Sequence, residues 1–450
     1  MDSVKAPRRG NRFLLAQWLD LLDDDSFRRY WFMRLASHGA SNALTYALLV
    51  FTIHHSATAL ATGVLLLTLI VPSALLGAIS GVAIDTLPRG LVLFTANVLR
   101  AVLVFILISA KENLGTIYAV SLGLGIVTQF AVPAEAAVLP HIVKQPRIVA
   151  ANSFINLGTL ASQVLGMLVL APVLLKTTNG DPLLFMIASL FAVAAVMITV
   201  IPQFHFTSSE GLRNVSIRSA RREFADSWLR LSRDPTAFLG MILLVVTSAS
   251  TLIVATLMPK FSVHVLHIAP ENIVFVLAPV AVAVFLGLRS VEVLANRFNA
   301  LATIAGAYVL MAAALIALGL VPTAADVVDS ADPTGLFRLL GGVSARIFVT
   351  IIFANVYGFG LTIVLTMGKV LLNERVPIEM QGRIFAAQTV LANLVAIAPV
   401  VLAGFLADAI GVEPVLVCAG VGALLAALWS QARSSRAVPA TAIREISTRP

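Results

Sequence analysis

Charge is scarce in this chain. Acidic residues number 23 and basic ones 31, so charged types make up only 12% of 450 residues. A soluble protein carries about 25%, so these side chains are too few to cover a water-facing surface. Cysteine is nearly missing. Cys418 stands alone, which excludes an internal disulfide and a cysteine-built zinc site. Enzyme signatures are absent too: no His-Glu-x-x-His, no Gly-x-Ser-x-Gly, no phosphate-binding loop, and no membrane-depth acids paired at catalytic spacing. The chain therefore reads as a non-enzyme, with no cofactor and no bound metal. A net charge of +8 does not imply nucleic acid here, because basic excess in a membrane protein marks cytoplasmic loops.

What the chain does have is long apolar runs. Hydrophobic residues make up 59% of it. Runs long enough to cross a bilayer fall near 30–53, 58–84, 91–110, 115–139, 149–175, 182–202, 237–259, 272–296, 299–321, 346–372, 384–407 and 412–431, about twelve in all. An even number places both termini on one side. With that side inside, the outer loops hold only Lys111, Lys176, Lys260, Arg338 and Arg346, and the other loop bases face the cytoplasm. Trp18, Trp31, Trp228 and Trp429 fall near inner-face boundaries, where amphipathic rings settle.

The organisation follows from these runs. Residues 1–29 form a cytoplasmic segment with an amphipathic surface helix, and 30–202 form a bundle of six helices. Residues 203–236 are an Arg- and Ser-rich cytoplasmic linker, 237–431 a second bundle of six, and 432–450 a disordered tail. The longest outer loop, 322–345, carries solvated acids. The expected fold class is an all-α membrane protein of two pseudo-symmetric bundles.

Between the second and third spans the chain reads "GVAIDTLPRG" (81–90). Gly77 and Gly81 are a small-xxx-small pair that lets a neighbouring helix approach. Asp85 ends the span, Pro88 and Gly90 force a turn, and Arg89 lies within it. An acid at the bilayer edge can face the positive N-terminus of another helix. This stretch resembles the loop signature of the major facilitator superfamily, Gly-x-x-x-Asp-x-x-x-Arg-[Gly/Arg]. Two more segments, "FAVPAEAAVLPHIVKQPRIVAANSF" (130–154) and "LNERVPIEMQGRIFAAQTVLANLVAIAPVVLAGFLAD" (372–408), resemble its enterobactin-exporter and macrolide-efflux branch.

The resemblance implies two six-helix bundles rocking about a central cavity in an efflux protein of the cell membrane, of the multidrug-exporter or antiporter kind. It also implies that Asp85 docks at the start of the eleventh span, near Gly382 and Arg383, as an inner latch. The chain departs from the family in three places: Thr86 replaces the usual base after the acid, "AVSLGLG" in the fourth span has no arginine, and Met167 stands where the fifth-span motif has proline.

Polar groups at membrane depth suggest function by default. On the first span Arg34, His38, Asn42 and Tyr46 recur every four residues. His38 lies deeper than Arg34, and histidine is the side chain that changes charge near neutral pH. Arg100 on the third span and Glu135 on the fourth are expected to pair; His38 and Glu135 are the proton candidates. Asn152 and Asn156 lie one turn apart on the fifth span. Arg289 and Glu292 on the eighth are expected to form a local ion pair. Asn355, Tyr357 and Gln388 are further cavity candidates.

The expected function is secondary transport of a small amphipathic or hydrophobic molecule, outward and with protons as a possible driving ion. The partners expected are that substrate and membrane lipid, with no nucleic acid, and the protein is expected to be a monomer. A lysophospholipid flippase of the same superfamily and a non-transporting scaffold or sensor are the alternatives.

Overall fold

The computed structural model describes residues 20–143, 147–177, 180–201, 234–269, 272–330, 344–376 and 378–434. The described residues form helices and short connections, with no strand among them. Among the described residues twelve principal helices follow one another: α1 (Asp25–His55), α2 (Ala59–Thr86), α3 (Arg89–Ala110), α4 (Leu114–Ile142), α5 (Ile148–Gln163), α6 (Asp181–Thr199), α7 (Pro235–His264), α8 (Val280–Arg297), α9 (Ala300–Gly319), α10 (Ala345–Arg375), α11 (Ile378–Ile410) and α12 (Val412–Ser434). By length and composition, eleven described helical stretches can cross a membrane. The remaining helix, α1, is long enough at 31 residues but carries arginines and histidines along its length.

Local chemistry sets the boundaries. Asp24 caps α1 by accepting from the amides of Ser26 (2.9 Å) and Phe27 (3.2 Å), so the helix begins before the apolar run does. Asp234 caps α7 in the same way, with Pro235 at its first position. Only Gly411 separates α11 from α12, and its φ of 95° is a left-handed turn that suits glycine. Beyond α5 the backbone winds as a π-helix over Val164–Leu170 before Ala171–Thr177 resumes the α form. Pro172 explains the shift: it offers no amide to the carbonyl four residues back, and the Ala171 amide reaches Gly166 O, five residues back.

One stretch expected as loop is helical. Val321–Ser330 forms a helix because Val321, Ala325 and Val328 share one face and pack on the neighbouring core, while Asp326 points outward.

The chain divides into two compact units. The first comprises 1–55 and 75–217, the second 56–74 and 218–450. In the first unit α1 packs against α4, α5 and α6, and α3 against α4 and α6. Phe27, Tyr30 and Met33 of α1 meet Leu93, Ala134, Val138, Phe154 and Ile198 in its core. In the second, α9 packs on α10 and α12, α7 on α10 and α11, and α8 on α10. Large apolar side chains remain outward on both, such as Val196 (61% exposed) and Phe285 (62%). Hydrocarbon solvates such rows at no cost, and helices in lipid associate by close packing rather than by hiding apolar area.

The cytoplasmic segment expected before α1, the linker over 203–236 and the tail beyond 434 lie largely or wholly outside the described residues.

Candidate functional site

In the first unit, a polar cluster sits among α1, α3 and α4. Glu135 on α4 has only 5% of its side chain exposed. Its Oε2 takes Arg34 Nη1 at 2.6 Å and lies 3.0 Å from His38 Nε2. Arg34 and His38 are one turn apart on α1, so one face of that helix brings both to a single carboxylate. Tyr30, a further turn back, donates to the Glu135 carbonyl at 2.7 Å and accepts from Arg34 Nη1 at 3.3 Å. A charge at this depth needs a charged partner and further hydrogen bonds to persist, and Glu135 has both.

The pairing differs from the sequence expectation. Arg100 forms no ion pair with Glu135 among the described residues. Its guanidinium instead donates to Ser37 Oγ (3.1 Å) and Thr128 Oγ1 (3.2 Å), with Cζ 5.8 Å from the centre of the Phe191 ring. Ser37 in turn donates to Asn97 Oδ1 at 2.8 Å. The reason is rotational: Arg34 reaches Glu135 along the α1 face, while Arg100 is turned toward a patch of neutral hydroxyls.

The first-span stripe also needs correction at one end. Arg34, His38, Ser41 and Asn42 are half-buried and Thr45 is exposed, but Tyr46 is buried. A strict four-residue step drifts about 40° each time on a helix of 3.6 residues per turn. Tyr46 is thus about 120° from Arg34, and Thr45 only about 20°. The stripe therefore runs through Thr45. Asn42 spends its side-chain amide on the His38 carbonyl at 2.8 Å.

α5 seals this helix from the other side. Trp31 stacks on Phe154 with centroids 4.9 Å apart, and its Nε1 donates to the Phe154 carbonyl at 3.3 Å. In the π segment, a Cβ on Gly166 would lie 2.5 Å from Gly39 O, so only glycine permits this backbone contact. Asn152 and Asn156 are exposed side chains on α5 and take no part in the cluster.

The second unit holds another charged arrangement, which the sequence reading missed. Asp408, near the end of α11, accepts from two backbone amides at the start of α2: Ala59 N to Oδ1 at 2.8 Å and Leu60 N to Oδ2 at 3.0 Å. Lys260 of α7 donates to the same carboxylate at 2.7 Å and to the Ala407 carbonyl at 3.0 Å. Thr58 Oγ1 accepts from the Ala61 amide, so the first three amides of α2 are all satisfied. Gly404 makes the approach possible, since a Cβ there would lie 2.9 Å from Leu60 Cα. Gly404-x-x-x-Asp408 repeats the spacing of Gly81-x-x-x-Asp85, a signal the sequence did contain.

The remaining predicted residues are scattered. Arg289 and Glu292 are both exposed and form no ion pair among the described residues: both side chains splay outward from α8. Asn355 bonds back to Ile351 O at 2.7 Å, Tyr357 is buried near Ser250 and Thr251 of α7, and Gln388 is buried. Arg89 donates to Ala137 O at 3.2 Å and contacts the His141 ring, while Gly90 is buried in the first turn of α3. Gly77 accepts from Ser80 through its carbonyl. The side chains of the other latch residues, Gly81, Asp85, Gly382 and Arg383, lie outside the described ones.

Comparison with known proteins places the fold. The chain is similar to the nucleoside transporter NupG at TM-score 0.69 and 12% identity, covering 91% of this chain and 99% of that one. An auto-inhibited POT-family peptide transporter aligns at 0.67 and 12%, over 92% and 97%. A bacterial homologue of the iron transporter ferroportin, in an inward-facing state, aligns at 0.65 and 15%, over 90% and 98%. These identities speak for the fold alone. No curated protein matches by sequence. The family model described as Major Facilitator Superfamily matches residues 30–398. With its crossing helices and transporter fold, the chain is a multi-pass membrane protein that belongs to the Major Facilitator Superfamily.

Proposed function

We propose that this protein is a secondary transporter that exports a small amphipathic or hydrophobic molecule by alternating access. The observation that carries the reading is the Arg34–His38–Glu135 cluster. Ionisable groups at membrane depth are costly and are retained where a substrate or proton uses them. This cluster adjoins the polar row of half-buried Ser41 and Asn42 and exposed Thr45 on α1, an edge along which a solute would reach it. Glu135 and His38 are the groups through which protons would couple to transport. The exporter direction rests on the branch resemblance of residues 130–154 and 372–408.

Two latches serve the cycle in this reading. Asp85, with Gly77, Gly81, Arg89 and Gly90, locks the inner side against the start of α11 at Gly382 and Arg383. Asp408 and Lys260 hold the N-terminal half of α2 against α7 and α11 on the outer side. The Asp408 contacts with Ala59, Leu60 and Lys260 support the hold on α2.

A lipid-moving version draws support from a groove of about 610 Å³ in the second unit. α8 and α9 barely touch each other but both pack on α10, which leaves a cleft floored by Phe359 and Ile363. Its lining is apolar apart from Arg289, Ser290 and Thr303, and suits an acyl chain.

The test is uptake of a mixed compound panel into proteoliposomes, with and without a pH gradient. Saturable flux of one chemical class supports transport. Flux that follows the gradient supports proton coupling, and flux indifferent to it removes the proton. Lipid scrambled in preference to soluble compounds favours the lipid-moving version, and vesicles that move nothing favour a scaffold or sensor.

A further inference from the structure

Among the described residues, the charges buried in the first unit do not balance. Within the cluster stand two guanidiniums, Arg34 and Arg100, and one carboxylate, Glu135. Arg100 has 5% exposure; among the described residues its hydrogen-bond partners are the neutral hydroxyls of Ser37 and Thr128, with an aromatic face beside it, and it shares the field of Glu135 with Arg34. Arg34 gives both its described bonds, to Glu135 and Tyr30, through Nη1. Its Nε is buried and has no hydrogen-bond partner among the described residues. His38 can only add positive charge. Two buried cations that share one carboxylate are incompletely balanced, which is costly, and a guanidinium edge is shaped for a carboxylate or similar anion.

The geometry points to an anion-binding site: the unused edge of Arg34, backed by the field of Arg100, receives the acidic group of an amphipathic monoanion. This rests on the transporter reading and narrows its substrate from amphipathic molecules in general to those bearing one anionic group on an apolar or aromatic body. The site opens where Arg34 and His38 are partly exposed, at 16% and 26%, beside the polar row of Ser41, Asn42 and Thr45. Glu135 acts there as an internal competitor that occupies Arg34 Nη1 until a ligand anion shares the guanidinium. Removing the Glu135 charge should therefore strengthen anion binding, whereas a purely structural Arg34–Glu135 pair would give variants that only weaken the protein.

The test uses the full chain, purified in detergent and in nanodiscs, with matched probes: 1-naphthoate against 1-naphthamide, indole-3-acetate against its amide, and decanoate against decanamide. Ligand-induced thermal stabilisation reads affinity. At least one carboxylate should bind about tenfold more tightly than its amide, as expected for a charge-assisted contact. The preference should weaken in Arg34→Lys, which keeps the charge but loses the Nε edge. It should vanish in the charge-balanced double variant Arg34→Gln/Glu135→Gln, which avoids leaving a lone buried carboxylate. In Glu135→Gln it should grow severalfold.

If each amide matches its acid, or no carboxylate of the panel binds, the anion site is refuted. It is refuted equally if the preference survives the double variant or fails to rise in Glu135→Gln. Proteoliposome flux of the same probes separates the two claims. Neutral probes carried as well as acids would sink the anion site and leave transport standing. Acids bound at this site but never moved would sink transport and leave the site.

Discussion

Replacing Asp408 by alanine should free the start of α2 from α7 and α11. Three contacts would be lost together: the amides of Ala59 at 2.8 Å and Leu60 at 3.0 Å, and the Lys260 ammonium at 2.7 Å. Hydrogen bonds to a charged group contribute about 1.5–3 kcal/mol each, and a carboxylate at a helix N-terminus adds about 0.3–1 kcal/mol when exposed. These contributions overlap, because one carboxylate serves all three partners. Asp408 also keeps 22% of its side chain exposed, so water replaces part of what is lost. A net loss of about 3 kcal/mol is the reasonable figure, and it shifts an equilibrium between held and released α2 by about a hundredfold.

Thr256 offers a readout. It is fully buried on α7, and its Cγ2 would meet a Cβ on Gly63 of α2 at 3.2 Å. In a Cys418→Ser background, Thr256→Cys should react slowly with a membrane-impermeant thiol reagent. Adding Asp408→Ala should raise that rate by one to two orders of magnitude if release limits labelling, on the shift just derived. Asp408→Asn, which keeps an acceptor oxygen but loses the charge, should fall between. Lys260→Ala should act weakly, and adding it to Asp408→Ala should change little, since both act on one carboxylate. A labelling rate unchanged in Asp408→Ala would refute the clamp.

Other outcomes follow from the first unit. Arg34→Gln leaves Glu135 buried with His38 as its remaining side-chain partner and should cost about 3–5 kcal/mol, which the double variant with Glu135→Gln largely restores; thermal unfolding in detergent measures the cycle. Tyr30→Phe removes donation to the Glu135 carbonyl and the bond from Arg34, for a loss of about 1 kcal/mol by the same assay. Gly166→Ala drives a methyl into the Gly39 carbonyl, a backbone atom that cannot step aside, and should destabilise by about 1–3 kcal/mol. Asp85→Asn should abolish flux in proteoliposomes while the protein stays folded; full flux would remove the inner latch from the scheme.

Much of the architecture was legible because hydrocarbon imposes one simple demand: about twenty apolar residues per crossing, visible in any window of the chain. The single-residue link at Gly411 and the cap at Asp234 follow from side-chain chemistry next to those runs. The Val321–Ser330 helix was missed because its apolar face is short and set among acids, so only packing on the second unit reveals it. The site was legible in its members rather than in its partnerships. Arg34, His38 and Glu135 stood out as charges at membrane depth, yet which arginine meets Glu135 depends on how α1 and α3 are rotated, and no spacing within one helix encodes that. Tyr46 leaves the row because four-residue steps accumulate rotation on a helix of 3.6 residues per turn. Asp408 and Lys260 sit at helix ends, where charge is cheap, so nothing in the sequence distinguishes them from solvated residues apart from the glycine four places before the acid.

Saturable solute flux in reconstituted vesicles tests the central claim most directly. The full-length protein should move at least one amphipathic acid of the naphthoate, indole-acetate and decanoate series faster than empty liposomes do, with flux levelling off as concentration rises and disappearing in the Arg34→Gln/Glu135→Gln variant. Flux no greater than that of protein-free vesicles, for acids, amides and neutral compounds alike, would contradict it.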